Sequence, residues 1–448
     1  MRGRRFEWPS LGKFWPGAAV ALIALAVVIG GGGSRYALTN LTLQLIAIGI
    51  IAFKHHEIGA AWRNWPAGLK ALVLFSLALP IIHLIPLPPG LWQALPGRDI
   101  AFEARDLVGR SDAWYPLSLD RARTLLAFAA LLPPLAVLLF AGGSGTRTLL
   151  VRLLIALAVG NLLLGGMQIL AGANFPYGYP VLEGGRLYGF FANHNTSGLF
   201  FVIALCLLYG ADLGISARGP NSAKAELGLK SVLGLLFIVG VLLTQSRSST
   251  VLMALVVLVL LAGAARSRLG AGVKLKSWQV ALPAALVAVA AAVGLTNERV
   301  GQTLARFGDL EDQRFAIWTD SIAAIERFFP FGSGMGSFDE VFQNFESLET
   351  LVPAMARRAH NDFLEIGLEA GVFGLALVAG WALWLAWTWG RRRGEDRTGQ
   401  SDGVALALTS IAAQSCVDYP LRNEAILCVA AALICILVTQ PARTSKRS

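Results

Sequence analysis

The chain has 448 residues, 55% of them hydrophobic and 15% charged, and a formal net charge of +10; its mean hydropathy is +0.60. That balance excludes a string of soluble domains, which need far more polar surface, and points to one integral membrane domain with several spanning helices. The excess positive charge is spread between apolar runs rather than gathered on one module, which argues against nucleic acid as a partner. Of the four cysteines (Cys206, Cys416, Cys428, Cys435), none has a C-x-x-C partner, so neither a zinc site nor a disulfide framework is indicated.

In chain order, twelve apolar runs approach the length of a bilayer crossing: 15–31, 36–53, 70–87, 122–141, 148–170, 192–212, 229–245, 249–265, 278–295, 361–390, 402–417 and 423–440. The fold expected is all-α and polytopic. Arg2, Arg4, Arg5 and Lys13 precede the first run, and no small-residue cleavage site follows it, so a retained helix is expected there rather than a cleaved signal. With the N-terminus inside, the segments on that side, together with the ends of the runs that border them, hold 23 of the 38 Lys+Arg and 7 of the 28 Asp+Glu, and every lysine. By the positive-inside rule both termini face the cytoplasm. The organisation expected is residues 1–295 with nine helices, 296–360 as an outer loop, and 361–448 with three helices and a cytoplasmic tail.

Three outer segments stand out. Residues 88–121 carry Pro88, Pro89, Pro96 and Pro116 and read as irregular; residues 171–191 are rich in Gly and aromatics. Within 296–360, Phe315, Trp318, Ile322, Ile325 and Phe329 recur at helical spacing, as do Phe338, Val341, Phe342, Phe345, Leu348 and Val352. Two amphipathic helices are expected, separated by a glycine turn, PFGSGMGS, at 330–337.

The chain contains no P-loop, no H-E-x-x-H, no G-x-S-x-G and no D-x-D pair. The centres of the spans carry no ionisable residue, which weighs against a transporter such as a lipid-linked oligosaccharide flippase, the alternative reading of such a chain. Polar chemistry gathers at the outer ends instead. GGRLYGFFANHNTSG brings Arg186, His194 and Asn195; TQSRSST brings Arg247 to a tight turn; RRAHNDFLEIGLEAG brings Arg358, His360 and Asp362; SCVDYPLRNEA brings Asp418 and Arg422. An arginine at a helix end often only snorkels to phosphates, and His194 beside two asparagines is placed to cap a helix. Arg247 is different, a single charge between two apolar runs, on the side where the positive-inside rule disfavours it, and it calls for an anionic partner. His360 precedes a helix start, which favours the neutral imidazole that a general base must be.

At these residues the chain resembles the O-antigen ligase and O-antigen polymerase superfamily of bacterial envelope glycosyltransferases. The pieces that carry the resemblance are GRLYGFFANHNTSG, SRSS, FPFGSGMGSF, HNDFLEIGLEAGVFG and DYPLR, in that order, over roughly residues 90–440. The resemblance implies a GT-C-like membrane fold of about twelve helices with a large periplasmic loop. It implies transfer of a glycan from undecaprenyl diphosphate to a sugar hydroxyl, on a lipid-linked repeat for a polymerase or on the lipid A core for a ligase. It further implies catalysis without a metal or other cofactor, with arginines on the diphosphate and a histidine assisting the acceptor. By position Arg186 and Arg247 match the arginines and His360 the histidine; His194, Asn195, Arg358, Asp362, Asp418 and Arg422 are the candidate substrate-binding residues.

Overall fold

The computed structural model describes residues 16–33, 36–143, 146–172, 178–179, 184–215, 220–270, 314–348, 357–396 and 398–439. Among them, helices stand at eleven of the twelve apolar runs, and the run at 278–295 lies outside the described residues. The helices are α1 (Pro16–Ile29), α2 (Ala37–Phe53), α3 (His55–Asn64), α4 (Ala67–Leu84), α5 (Pro89–Trp92), α6 (Asp99–Asp106), α7 (Arg121–Ala129), α8 (Leu132–Phe140), α9 (Thr146–Ala171), α10 (His194–Leu208), α11 (Pro220–Thr244) and α12 (Arg247–Gly270). After them come α13 (Arg314–Phe328), α14 (Phe338–Phe342), α15 (Asp362–Arg393), α16 (Gln400–Ser415), a 3-10 turn at Pro420–Arg422, and α17 (Glu424–Val438).

Five of these, counting α7 and α8 as one, are long and apolar enough to cross a membrane, and a sixth is added if α2 and α3, bent by 86°, count as a single broken span. The expectation of twelve full-length crossings is therefore not reproduced by helix length. The physical reason lies in burial. α10 has 15 residues, a rise of about 22 Å against a hydrocarbon core of ~30 Å. Every residue from Asn195 to Leu208 is buried, so protein, not lipid, surrounds it. It is enclosed by α9, α11, α12 and α16, while α17 is enclosed by α1, α8, α9 and α16. These two interior helices form the axis of one continuous apolar core.

Polar contacts tie alternate helix ends together at one end of the bundle. Leu187 N–H donates to Leu243 O (2.9 Å), Ala192 N–H to Gly31 O (3.1 Å) and Ala425 N–H to Gly30 O (3.4 Å). Gln414 Nε2 donates to Ser248 Oγ (2.9 Å). The opposite end is closed by Arg147 with Asp396 (2.5 Å) and Arg152 with Asp212 (3.0 Å).

The glycine turn does more than reverse the chain. α15 breaks at Gly371, whose φ of 54° is left-handed and whose Cβ, if present, would lie 2.0 Å from Pro330 O. The break frees backbone groups that the turn takes up. Ser333 N–H donates to Leu368 O (2.9 Å), Gly334 N–H to Glu369 O (2.8 Å), and Val372 N–H to Pro330 O (3.0 Å). Behind the turn Arg98, 1% exposed, donates to Leu117 O (2.6 Å) and Gly332 O (3.0 Å), and burial lowers its guanidinium to about 10.

Two of the segments between the apolar runs differ from expectation. Residues 88–121 are not wholly irregular: α5 and α6 lie there, and β1 (Pro86–Leu87) pairs antiparallel with β2 (Tyr115–Pro116). Of the two expected amphipathic helices, α13 forms but turns a different face inward: Ser321, Ala324 and Phe328 are buried, the last two in a small core beside Phe338, Val341 and Phe342, while Phe315, Ile322 and Phe329 of the expected apolar face are exposed. The second, α14, stops at Phe342, and beyond it Asp320 Oδ2 of α13 accepts the Ser347 N–H (3.0 Å).

Candidate functional site

His360 lies just before α15. Its neighbour Asn361 caps that helix, accepting from Phe363 N–H and Leu364 N–H. His360 itself has a φ of 50°, a conformation uncommon outside Gly, although His visits it more often than most side chains. That backbone directs Nδ1 to Asp418 Oδ1 at 3.5 Å, with the imidazole 33% exposed and the carboxylate buried. Neither of these two atoms has a hydrogen-bonding partner; they face each other at an ion-pair distance just beyond a hydrogen bond. The ring also meets Tyr419 edge-on at 5.1 Å. Burial alone would push the Asp418 carboxyl up, but the facing His360, the charge of Arg314 and the Tyr419 backbone N–H outweigh it and hold the carboxyl below the usual range.

Asp362, Glu365 and Glu369 follow on one face of α15, at the i, i+3, i+7 spacing of a helix. Arg422 from the 3-10 turn lies against all three: Nη1 to Glu369 Oε2 at 2.8 Å, Nε to Glu365 Oε2 at 3.2 Å and to Asp362 Oδ1 at 3.7 Å. Burial disfavours a charged guanidinium, but these carboxylates outweigh it and hold Arg422 above its usual value. Arg358 Nη1 donates to Glu365 Oε2 (3.0 Å). Asp362 Oδ2 accepts from Ser415 Oγ (2.8 Å) and Leu421 N–H (3.1 Å). Each of Arg358, Asp362, Asp418 and Arg422 thus has a partner inside the protein.

A second cluster sits on the other side of α16. Arg186 is nearly buried, donating from Nε to Gln245 Oε1 (3.3 Å), with Nη1 3.3 Å from His194 Nε2. A guanidinium cannot accept, so His194 Nε2 is the acceptor and its proton sits on Nδ1. Tyr188 meets that ring edge-on at 5.9 Å. Asn195 serves the packing: its backbone O accepts from Ser249 Oγ (3.1 Å). Arg247 is the first residue of α12, next to Ser246 and to Ser248, the residue that Gln414 holds. The two clusters are therefore joined: the Arg247 turn is bonded through Gln414 to the end of α16, where Ser415 reaches Asp362 and Asp418 reaches His360.

The sequence reading overlooked Glu365, Glu369, Gln245 and Gln414. For the acids a signal was present, since Asp362, Glu365 and Glu369 share one face of an otherwise apolar helix, and buried carboxylates require partners. Among the described residues no three His, Cys, Asp or Glu side chains are grouped to hold a metal ion. The glycine turn is no phosphate cradle, because the N–H groups of Gly332, Ser333, Gly334 and Ser337 are spent on protein carbonyls and that of Met335 on His83 Nδ1. No curated protein matches the chain. A family model does: residues 232–379, which hold the Arg247 turn, the glycine turn, His360 and the acidic face of α15, match the model described as O-antigen ligase, and that match supports the resemblance to the O-antigen ligase and polymerase superfamily.

Proposed function

We propose that this protein is a glycosyltransferase of the bacterial inner membrane that moves a glycan from undecaprenyl diphosphate to a sugar hydroxyl at the periplasmic face, as a polysaccharide or O-antigen polymerase or as an O-antigen ligase. The observation that carries the reading is the pairing of His360 with buried Asp418 at the bundle end that also holds Arg186 and Arg247. Asp418 fixes the proton on Nδ1 and leaves Nε2 free to accept one. The acceptor hydroxyl gives its proton to Nε2 as its oxygen attacks the anomeric carbon. The bond from that carbon to the diphosphate breaks, and the electron pair leaves with the diphosphate. Guanidinium groups stabilise such a leaving group with a fixed charge and two parallel donors, the role of Arg186 and Arg247. A single displacement of this kind inverts the anomeric centre. No metal is needed in this scheme.

Arg358, Asp362 and Arg422 contribute by framing the dyad, and His194 and Asn195 by holding the Arg186 side. The helix ends suit a substrate whose polyprenyl tail stays in lipid and whose sugars are in water. Deletion of the gene, followed by separation of the lipid-linked saccharides, tests the reading. Accumulated single repeats identify a polymerase and accumulated long chains a ligase. Repeats trapped on the cytoplasmic face overturn the reading in favour of a flippase.

A further inference from the structure

Four grips hold the chain around His360. Trp318 Nε1 donates to Ala359 O (2.8 Å), and Asn361 Nδ2 donates to Cys416 O (2.9 Å). The other two converge on one residue. Glu365 Oε1 accepts the Ala359 N–H (3.0 Å), and Glu365 Oε2 accepts from Arg358 (3.0 Å). Glu365 is fully buried and lies one turn into α15, so its side chain runs back past the helix cap to seize the two residues before His360. The same Oε2 meets Arg422 Nε at 3.2 Å, on the 3-10 turn that follows Asp418 and Tyr419. One carboxylate therefore binds both chain segments that make the dyad.

We propose that Glu365 is a positioning residue that locks His360 in its left-handed backbone conformation and sets its imidazole against Asp418; the inference rests on reading His360 as the base. A left-handed residue costs about 1–2 kcal/mol, so it persists only where its surroundings hold it. A buried acid with no partner is expensive, but Glu365 has three, and its two oxygens are fully engaged on the His360 and Asp418 segments. Nothing of it reaches the surface or an acceptor, so it acts through His360 and not on substrate.

The test reads the imidazole directly. The chain has five histidines, so 15N-histidine NMR of the purified protein, with His360 assigned by H360Q, resolves its tautomer. In the wild type the Nδ1–H form is expected alone. Glu365→Gln keeps the shape but loses the charge that holds Arg358 and Arg422. It is expected to release the ring, so that the Nε2–H form becomes the main species, as in Asp418→Asn. Turnover falls ~10–10²-fold at unchanged donor affinity, the usual result of a slight misplacement. A merely structural glutamate would lower the melting temperature and leave the tautomer alone. The proposal is overturned if folded E365Q keeps the single Nδ1–H form. Should E365Q fail to fold, Glu365→Asp keeps the charge but draws the carboxylate back from Arg358, the Ala359 N–H and Arg422 together, and an unchanged tautomer there overturns the proposal instead. A wild type in the Nε2–H form would sink the dyad itself, a different failure from a wild-type-like E365Q.

Discussion

Arg247 opens α12 as a residue that either clamps a diphosphate or anchors a helix end. The two roles part under substitution. Arg247→Lys keeps the charge and loses the planar fork, so a clamp stays badly impaired while an anchor is rescued; turnover on a lipid-linked saccharide donor distinguishes them. His360→Ala should cut turnover by ~10²–10⁴-fold with donor affinity and melting temperature largely retained. Asp418 adds a pH signature. Its carboxyl is held below the usual range, so it stabilises the fold fully above the ordinary carboxylate value of about 3.9 and loses that contribution as pH falls through its lowered one. Asp418→Asn should therefore be less stable at neutral pH and should flatten the fall in stability below about pH 4, measured by thermal unfolding in detergent. At this scale the sequence was partly legible. Arg247 and His360 announced themselves as charges or bases at helix ends in an apolar chain. Gln245 and Gln414 did not, because an amide declares its partners only in three dimensions.

The break in α15 is an element-scale device. The turn 330–337 docks on it through backbone groups, so α13 and α14 are fastened to the helix that carries the acidic face. Gly371 is the pivot, with a left-handed φ and no room for a Cβ. Gly371→Ala should destabilise the protein by roughly 2 kcal/mol or more, combining left-handed strain with the clash on Pro330 O. Gly166→Ala, where nothing lies within 4 Å, should leave the melting temperature unchanged or raised. The sequence disclosed the turn through its glycines but not what the turn docks against. Helix periodicity likewise found α13, though not the face it buries, and overran α14, beyond which the Ser347 N–H bonds to Asp320, a residue far away in the chain.

For the whole molecule, the apolar runs in the sequence anticipated the helix places well and their lengths less well, because a helix surrounded by protein is released from the length that lipid imposes. Two predictions belong to this scale. In a Cys416→Ser background, a cysteine at exposed Gln343 should be labelled by an impermeant reagent on intact cells, and one at exposed Glu395 should not; labelling at 395 would reverse the proposed orientation. Activity should also survive EDTA, with guanidinium groups neutralising the diphosphate. A loss restored by Mg²⁺ would direct attention to Asp309, Glu311 and Asp312, which lie outside the described residues.

The enclosure of α10 also bears on how the chain is made. The helix packs against α16, which begins only at Gln400, and its first turns carry Asn195, Thr196 and Ser197, all buried. When the ribosome has delivered α10, that neighbour does not yet exist. The polar start of α10 already has Asn161 of α9 on Ser197 (2.9 Å), but its far end, where Gly403 of α16 lies against Cys206 O, stays open to lipid or is sheltered by the insertion machinery until synthesis is nearly complete. Nascent chains cut short before α16 should thus be recognised and degraded, although five of their helices, counting α7 and α8 as one, are long and apolar enough to cross a membrane.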